Sequence, residues 1–240
     1  MKKTLIVLNS LILLVFLAAW APKEANDHSN ETNLVIGDWC SGTVVDKKYN
    51  LIATANHCIE PLKAIYIGYK ETSNGDKIRV VVTKYKSVVV TLNKFDLEGN
   101  LYSQSKYSAD VIGYDPKSDV AILRVFDKSK YFNKEAHLSS KPVKIGDPVY
   151  TIGNPYGFES VISRGFVSKA KLHFQYKGTD TDTIVFTAMI APGSSGGALY
   201  NDNGEYIGMT NWGLAGGPYL ASPAENIRRL IVKLRYWDNL

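Results

Sequence analysis

The octapeptide Ala191-Pro192-Gly193-Ser194-Ser195-Gly196-Gly197-Ala198 carries the residue types that acyl transfer requires. A serine nucleophile needs its Oγ clear of neighbouring side chains and backbone N–H groups aimed at the oxyanion that develops on the attacked carbonyl. Glycines on either side permit the tight turn and the close approach of substrate. Gly-Ser-Ser-Gly-Gly alone is also what a flexible linker looks like. Its flanks separate the two readings, because residues 183–190 and 198–200 are apolar and strand-like. A linker does not lie between two core strands.

The same letters satisfy Gly-x-Ser-x-Gly, the nucleophile elbow of α/β-hydrolases, whose chain order is Ser, acid, His. The histidines are His28, His57, His137 and His173, and all of them precede Ser195. The order His, Asp, Ser is what remains. In Leu51-Ile52-Ala53-Thr54-Ala55-Asn56-His57-Cys58, a histidine directly follows a small, apolar strand end. In Lys117-Ser118-Asp119-Val120-Ala121-Ile122-Leu123, an aspartate opens an apolar run and so stands where backbone enters a core. Singly, His57 reads equally as a structural histidine and Asp119 as a turn residue. Together and in this order they read as a general base, its orienting carboxylate and a nucleophile.

These residues have to be held by strands. Ser41-Gly42-Thr43-Val44-Val45 can pair with 51–55 across the turn 46–50, and Asn203-Gly204 between apolar runs is a hairpin signal. Ser222-Pro223-Ala224-Glu225 has an N-cap serine, proline at the first helical position and glutamate at the capping-box position. Ile227, Leu230, Ile231 and Leu234 follow as one apolar stripe. That spacing predicts a C-terminal helix over about 222–237, packed on the second half of the chain.

With those motifs in hand, the chain resembles trypsin/chymotrypsin-type serine proteases, and among them the HtrA type. The likeness rests on Thr54-Ala55-Asn56-His57, Asp119-Val120-Ala121-Ile122-Leu123 and Ala191 to Leu199. Ile145 to Gly157, with Gly153-Asn154-Pro155-Tyr156-Gly157, and Asn203 to Met209 add to it. It covers about residues 38–235. The resemblance implies an all-β fold of two six-stranded antiparallel β-barrels with a C-terminal α-helix and the active site between the barrels. Barrel one is expected over about 34–127 and barrel two over about 142–221, within a protease domain spanning 34–240. The resemblance also assigns roles: His57 as base and then acid, Asp119 as its orienter, Ser195 as nucleophile. Gly193 and Ser195 would supply the oxyanion-hole N–H groups.

It further implies a Cys40–Cys58 bridge, joining the residue after the histidine to the one before strand 41–45. HtrA-type enzymes usually lack that bridge, so the chain mixes features of two subgroups. They also normally continue into a peptide-binding PDZ domain, for which a chain ending at Leu240 leaves no room. Trypsin-type enzymes that cut after Arg or Lys carry an aspartate six residues before the serine, where this chain has Met189, beside Ile190. A buried guanidinium there would lack a counter-charge, which points to small or medium aliphatic residues before the scissile bond. Asn211-Trp212-Gly213 resembles the edge on which substrate backbone pairs as an added strand. Leu34-Val35-Ile36-Gly37 resembles a zymogen activation terminus only faintly. Ser194, which precedes the nucleophile, has no charge to receive a freed amine.

The chain has 240 residues, 45% of them hydrophobic, enough for a substantial core. Lys2 and Lys3 followed by an apolar run from Thr4 to Ala21 read as an export signal, or as a membrane tether through residues 4–21. Without residues 1–21 the net charge falls from +5 to +3, too weak and scattered for nucleic-acid binding. Residues 22–33 are polar and read as a flexible tether. The span between His57 and Asp119 exceeds the usual HtrA length, which predicts an extended hairpin within 69–108. No metal-ligand spacing or phosphate loop occurs, so no cofactor or metal is expected. The expected protein is an exported, cofactor-independent serine endopeptidase acting on polypeptide substrates. The competing reading is a catalytically silent binding protein on the same fold.

Overall fold

Short apolar strands separated by turn residues close into two antiparallel barrels of six strands each. The structure is a computed structural model describing residues 23–126, 131–214 and 216–238. The export or tether segment 1–21 lies outside the described residues. The first half contains β1 (Asn33–Ile36), β2 (Cys40–Asp46), β3 (Leu51–Ala55), β4 (Lys63–Glu71), β5 (Lys77–Tyr85), β6 (Val88–Phe95), β7 (Leu101–Asp115) and β8 (Val120–Arg124). Barrel one runs β1-β2-β3-β8-β7-β6 around its circumference. Strand β9 (Pro148–Gly153), β10 (Val161–Tyr176), β11 (Thr179–Phe186), β12 (Ala198–Asn201), β13 (Tyr206–Gly213) and β14 (Tyr219–Pro223) form barrel two, in the order β10-β11-β14-β13-β12-β9.

Strands β2, β3 and β8 are buried on both faces over nearly their whole length. The reason is a single large core that fills barrel one and also takes in Tyr150, Ile152, Ala198, Tyr200, Tyr206 and Met209 of barrel two. A smaller core around Val149, Ile184 and Phe186 fills the rest of barrel two. Pairing of Ala55 with Val120 sets the residue pair just beyond β3 beside the residue just before β8. Pairing of Ala198 with both Ile152 and Met209 fixes the exit of the glycine-rich turn.

Three expectations need correction. Residues 22–33 are not a loose tether: Lys23–Glu31 form helix α1, with Ala25, Ser29 and Asn30 buried. Polar side chains rather than an apolar stripe seat it. Asn30 exchanges two 2.8 Å hydrogen bonds with the backbone of Phe95, and Glu31 pairs with Lys94. The inserted hairpin is β4–β5, which forms its own two-stranded sheet from Lys63 to Tyr85. The remainder of 69–108 is barrel strand. The C-terminal helix, following the one-turn α2 (Asn56–Ile59), is α3 (Ala224–Asp238). Ser222 and Pro223 stay in β14, where they pair with Met209 and Gly208. The helix also reaches the first barrel: Ile227, Leu230, Ile231 and Leu234 join the larger core, and Arg235 pairs with Asp46.

Candidate active site

Strand β3 ends at buried Ala55 and the chain turns at once into α2, which leaves His57 partly exposed. Cys58 is bonded to Cys40, so the end of β2 and the base of this turn are covalently joined. Asp119 sits in the turn before β8 with φ +55 and is 2% exposed. Left-handed backbone is uncommon for a non-glycine residue, and here it aims the carboxylate at α2. Asp119 Oδ1 accepts from the His57 backbone N–H at 2.9 Å, and Oδ2 lies 2.8 Å from His57 Nδ1. A third donor, Asn211 Nδ2, reaches Oδ2 at 2.7 Å and the Asp119 carbonyl at 2.9 Å. A carboxylate accepts, so Nδ1 is the donor, which leaves Nε2 on the far side of the ring as the position for the base. Trp212 covers the ring, with centroids 4.9 Å apart.

The glycine-rich turn is bonded on every side except one. Ser194 N donates to Ala191 O, Gly197 N to Ser194 O, and Thr210 Oγ1 to Ser194 O at 2.6 Å. Ser195 O accepts from Ser41 N at 2.8 Å, while Ser195 Oγ donates to the Asn211 carbonyl at 3.2 Å and makes no hydrogen bond to His57 in this conformation. The N–H groups of Gly193 and Ser195 engage no acceptor among the described residues. Two unspent amides, one of them the serine's own, are the donor pair that an oxyanion requires. Tyr156 N donates to Pro192 O at 2.6 Å, which turns that carbonyl away and the Gly193 N–H toward the opposite side. Glycine is required at 193: φ is +100 and a Cβ would lie 2.4 Å from Asn154 O.

Ser41 and Asn154 hold this turn, and sequence reasoning gave neither a role. The fully buried Ser41 Oγ donates to Gly193 O at 2.7 Å and accepts from Asn154 N at 2.8 Å and Asn154 Nδ2 at 3.0 Å. Asn154 Nδ2 also donates to Leu34 O, and its Oδ1 accepts from Ser160 N. Strands β1 and β2 of barrel one thereby brace a loop of barrel two. Ser194, 4% exposed, has its Oγ within the turn, accepting from Ala191 N at 3.3 Å.

Of the expected substrate residues, Trp212 and Gly213 lie at the end of β13 beside His57. Asn211 is different: its buried side-chain amide N–H groups are spent on Asp119. Met189 closes no buried floor, because it is 67% exposed, with its N–H held by Ser163 Oγ. Ile190 is the half-buried apolar neighbour, packed on the smaller core. The β10–β11 tip was missed. Tyr176 meets Trp212 edge-on at 5.4 Å, and Asp180 N donates to Lys117 O across the cleft. Lys177 and Thr179 then line the pocket with His57 and Trp212. Its forecast in the sequence is the polar–apolar alternation of Lys169-Ala170-Lys171-Leu172-His173-Phe174-Gln175-Tyr176. Among the described residues, the one grouping of metal-ligating types is Cys40, His57 and Cys58, and both sulfurs are consumed by the disulfide.

Residues 40–209 match the family model described as a trypsin-like peptidase domain. The chain is 36% identical over 140 residues to a probable periplasmic serine endoprotease DegP-like from Chlamydia pneumoniae, covering 56% of this chain and 28% of that protein. It is 30% identical over 147 residues to serine protease HTRA1 from Xenopus tropicalis, covering 60% and 32%. The chain thus spans about a third or less of the length of these relatives. Among solved structures, Deg5 superposes with a TM-score of 0.63 at 23% identity, over 88% of this chain and 92% of that one. The serine endoprotease from Yersinia pestis gives 0.62 at 19% identity, over 90% and 67%.

Proposed function

The chain belongs to the trypsin-like peptidases, and from that premise we propose that it is an exported serine endopeptidase working through His57, Asp119 and Ser195. The observation that carries this reading is the pairing of a buried carboxylate, held by three N–H donors around His57, with the unspent amides of Gly193 and Ser195.

Substrate backbone lies along Trp212-Gly213 as an added strand. Ser195 Oγ rotates from the Asn211 carbonyl to His57 Nε2, gives up its proton there and bonds to the scissile carbonyl carbon. The oxyanion falls between the N–H groups of Gly193 and Ser195. Asp119 keeps the ring oriented and stabilises the imidazolium. His57 then protonates the leaving amine, and the acyl-enzyme is released by water through the same steps reversed. Ile190, Gly213 and Tyr219 favour an aliphatic residue before the scissile bond: a Cβ on Gly213 would meet the Tyr219 ring at 2.6 Å and Ile190 at 3.5 Å. Export is supported by the basic-then-apolar start, 1–21, and by relatives named as periplasmic. No zymogen-type amine is needed, because Ser41, Asn154 and Tyr156 occupy the positions from which the turn is held.

The test is labelling by a fluorophosphonate together with peptide hydrolysis. Ser195→Ala should abolish labelling and lower hydrolysis by about 10⁶-fold. Labelling that persists in Ser195→Ala and disappears in Ser194→Ala overturns the assignment. An unlabelled wild type favours the silent binding protein.

A further inference from the structure

Hairpin β4–β5 takes no part in closing barrel one, and it begins six residues after His57. Its root is continuous with the cleft. Glu60 lines the same pocket as His57 and Trp212, and pairs with Lys63 at 3.6 Å. Lys86 N donates to Leu62 O to close the neck. Beyond the neck the two strands have only each other. A two-stranded sheet is marginal by itself, and the outward amides and carbonyls of β4 and β5 find no backbone partner among the described residues. On one face stand Ile65, Ile67, Tyr69 and Val81, exposed at 67, 56, 70 and 68%. Charge is concentrated here too: residues 63–86 hold six Lys or Arg and two Asp or Glu, a surplus of four against five for the whole chain.

We infer that this hairpin is a docking arm for an extended segment of polypeptide substrate in which apolar and acidic side chains alternate. The inference rests on the endopeptidase reading above. The segment adds to a free edge as a third strand. Its apolar side chains extend the Ile65–Val81 face, and its carboxylates, which alternate onto the opposite face, meet Lys70 and Lys84. A second copy of this chain is disfavoured, since it would bring the same positive surplus against this one. A lipid surface would accept the apolar and basic side chains but leave both backbone edges unpaired. An acidic strand satisfies all three demands.

The test uses the full chain and three peptides that share one cleavage sequence: untailed, with an alternating glutamate–valine tail, and with a lysine–valine tail. The glutamate tail should raise kcat/KM by about tenfold over the untailed peptide, an advantage erased by about 0.5 M salt. Lys70→Glu with Lys84→Glu should erase it too, as should replacing residues 64–84 by Asn-Gly between the paired Lys63 and Tyr85. Untailed hydrolysis should stay within about twofold of wild type in every variant. Equal rates on the two tailed peptides overturn the inference. So does binding to phosphatidylglycerol vesicles that the variants lose while tails make no difference. If the wild type hydrolyses none of the peptides, the endopeptidase reading fails separately. Fluorescence anisotropy of the labelled glutamate–valine tail then decides: binding lost in the double variant sustains the arm, and absence of binding to wild type refutes it.

Discussion

Ser41→Ala removes one hydroxyl that has no contact with substrate, yet it should slow the chemical step. The Oγ donates to Gly193 O and accepts from Asn154 N and Asn154 Nδ2. Asn154 Nδ2 keeps Leu34 O as a partner, so two groups, Gly193 O and Asn154 N, are left without one. Each buried orphan costs about 1–3 kcal/mol, or about 2–6 kcal/mol together. Part of that is lost stability. The rest is loss of aim, because Gly193 N–H is fixed only while its own carbonyl and that of Pro192 are held. Losing one oxyanion donor outright costs about 10²–10³ in kcat, so the expected fall lies between about tenfold and that ceiling. KM should change by less than about twofold, since the contact matters when charge develops on the oxygen. Steady-state hydrolysis of an aliphatic ester, run beside urea unfolding, separates the two effects. A kcat within about threefold of wild type alongside a clear loss of stability would refute the reasoning and reduce Ser41 to a packing residue.

Asp119→Asn should lower kcat by about 10⁴-fold while leaving the fold intact. Whichever way the new amide turns, its NH₂ faces one of the donors that the carboxylate now accepts from, and circular dichroism with activity measures both. Gly193→Ala should cost at least as much kcat as Ser41→Ala, because it adds a Cβ 2.4 Å from Asn154 O at φ +100; a Gly193→Ala protein that is both active and stable would be the contrary result. Glu205 gives a pH test. Hydrogen bonds from Lys141 first, then Asn201, hold its carboxyl below its ordinary value. Its support for the β12–β13 turn is therefore present at neutral pH and is lost as pH falls through the lowered value. Glu205→Gln should lower Tm at pH 7, and the gap to wild type should close as pH falls below the ordinary carboxylate range.

Barrel strands with a buried face were legible because their apolar runs are bounded by turn residues. His57 stands two residues after β3 and Asp119 directly before β8, close to where those runs predict. What was illegible has no local signature. Helix α1 is seated by Asn30 on Phe95, 65 residues away, not by periodicity. The bond from Asn154 to Ser41 spans 113 residues, and nothing around either residue forecasts it. The sequence predicts an inserted hairpin within 69–108 but not its bounds at Lys63 and Tyr85, because Val80, Val81 and Val82 are as apolar as a barrel strand. Only the unpaired neighbours show that the hairpin projects. Ser222 carries a helix-capping pattern, yet its Oγ accepts from the Asn226 side chain and its backbone stays in β14.

The larger core, which runs without a break from barrel one into Tyr150, Tyr200 and Tyr206 of barrel two, has a mechanical consequence. Walls that share one interior cannot swing apart like jaws, since parting them would expose that interior to water. The cleft is therefore a fixed slot, and on the proposed reading a substrate has to fit itself to it. A folded target would have to surrender a stretch of its own chain, by fraying or local opening, before that stretch could lie along Trp212 and Gly213. On the endopeptidase reading, selection among targets then includes a contest of local stabilities. Between segments that suit the β4–β5 arm equally, the one cut first is the one its own protein holds most weakly.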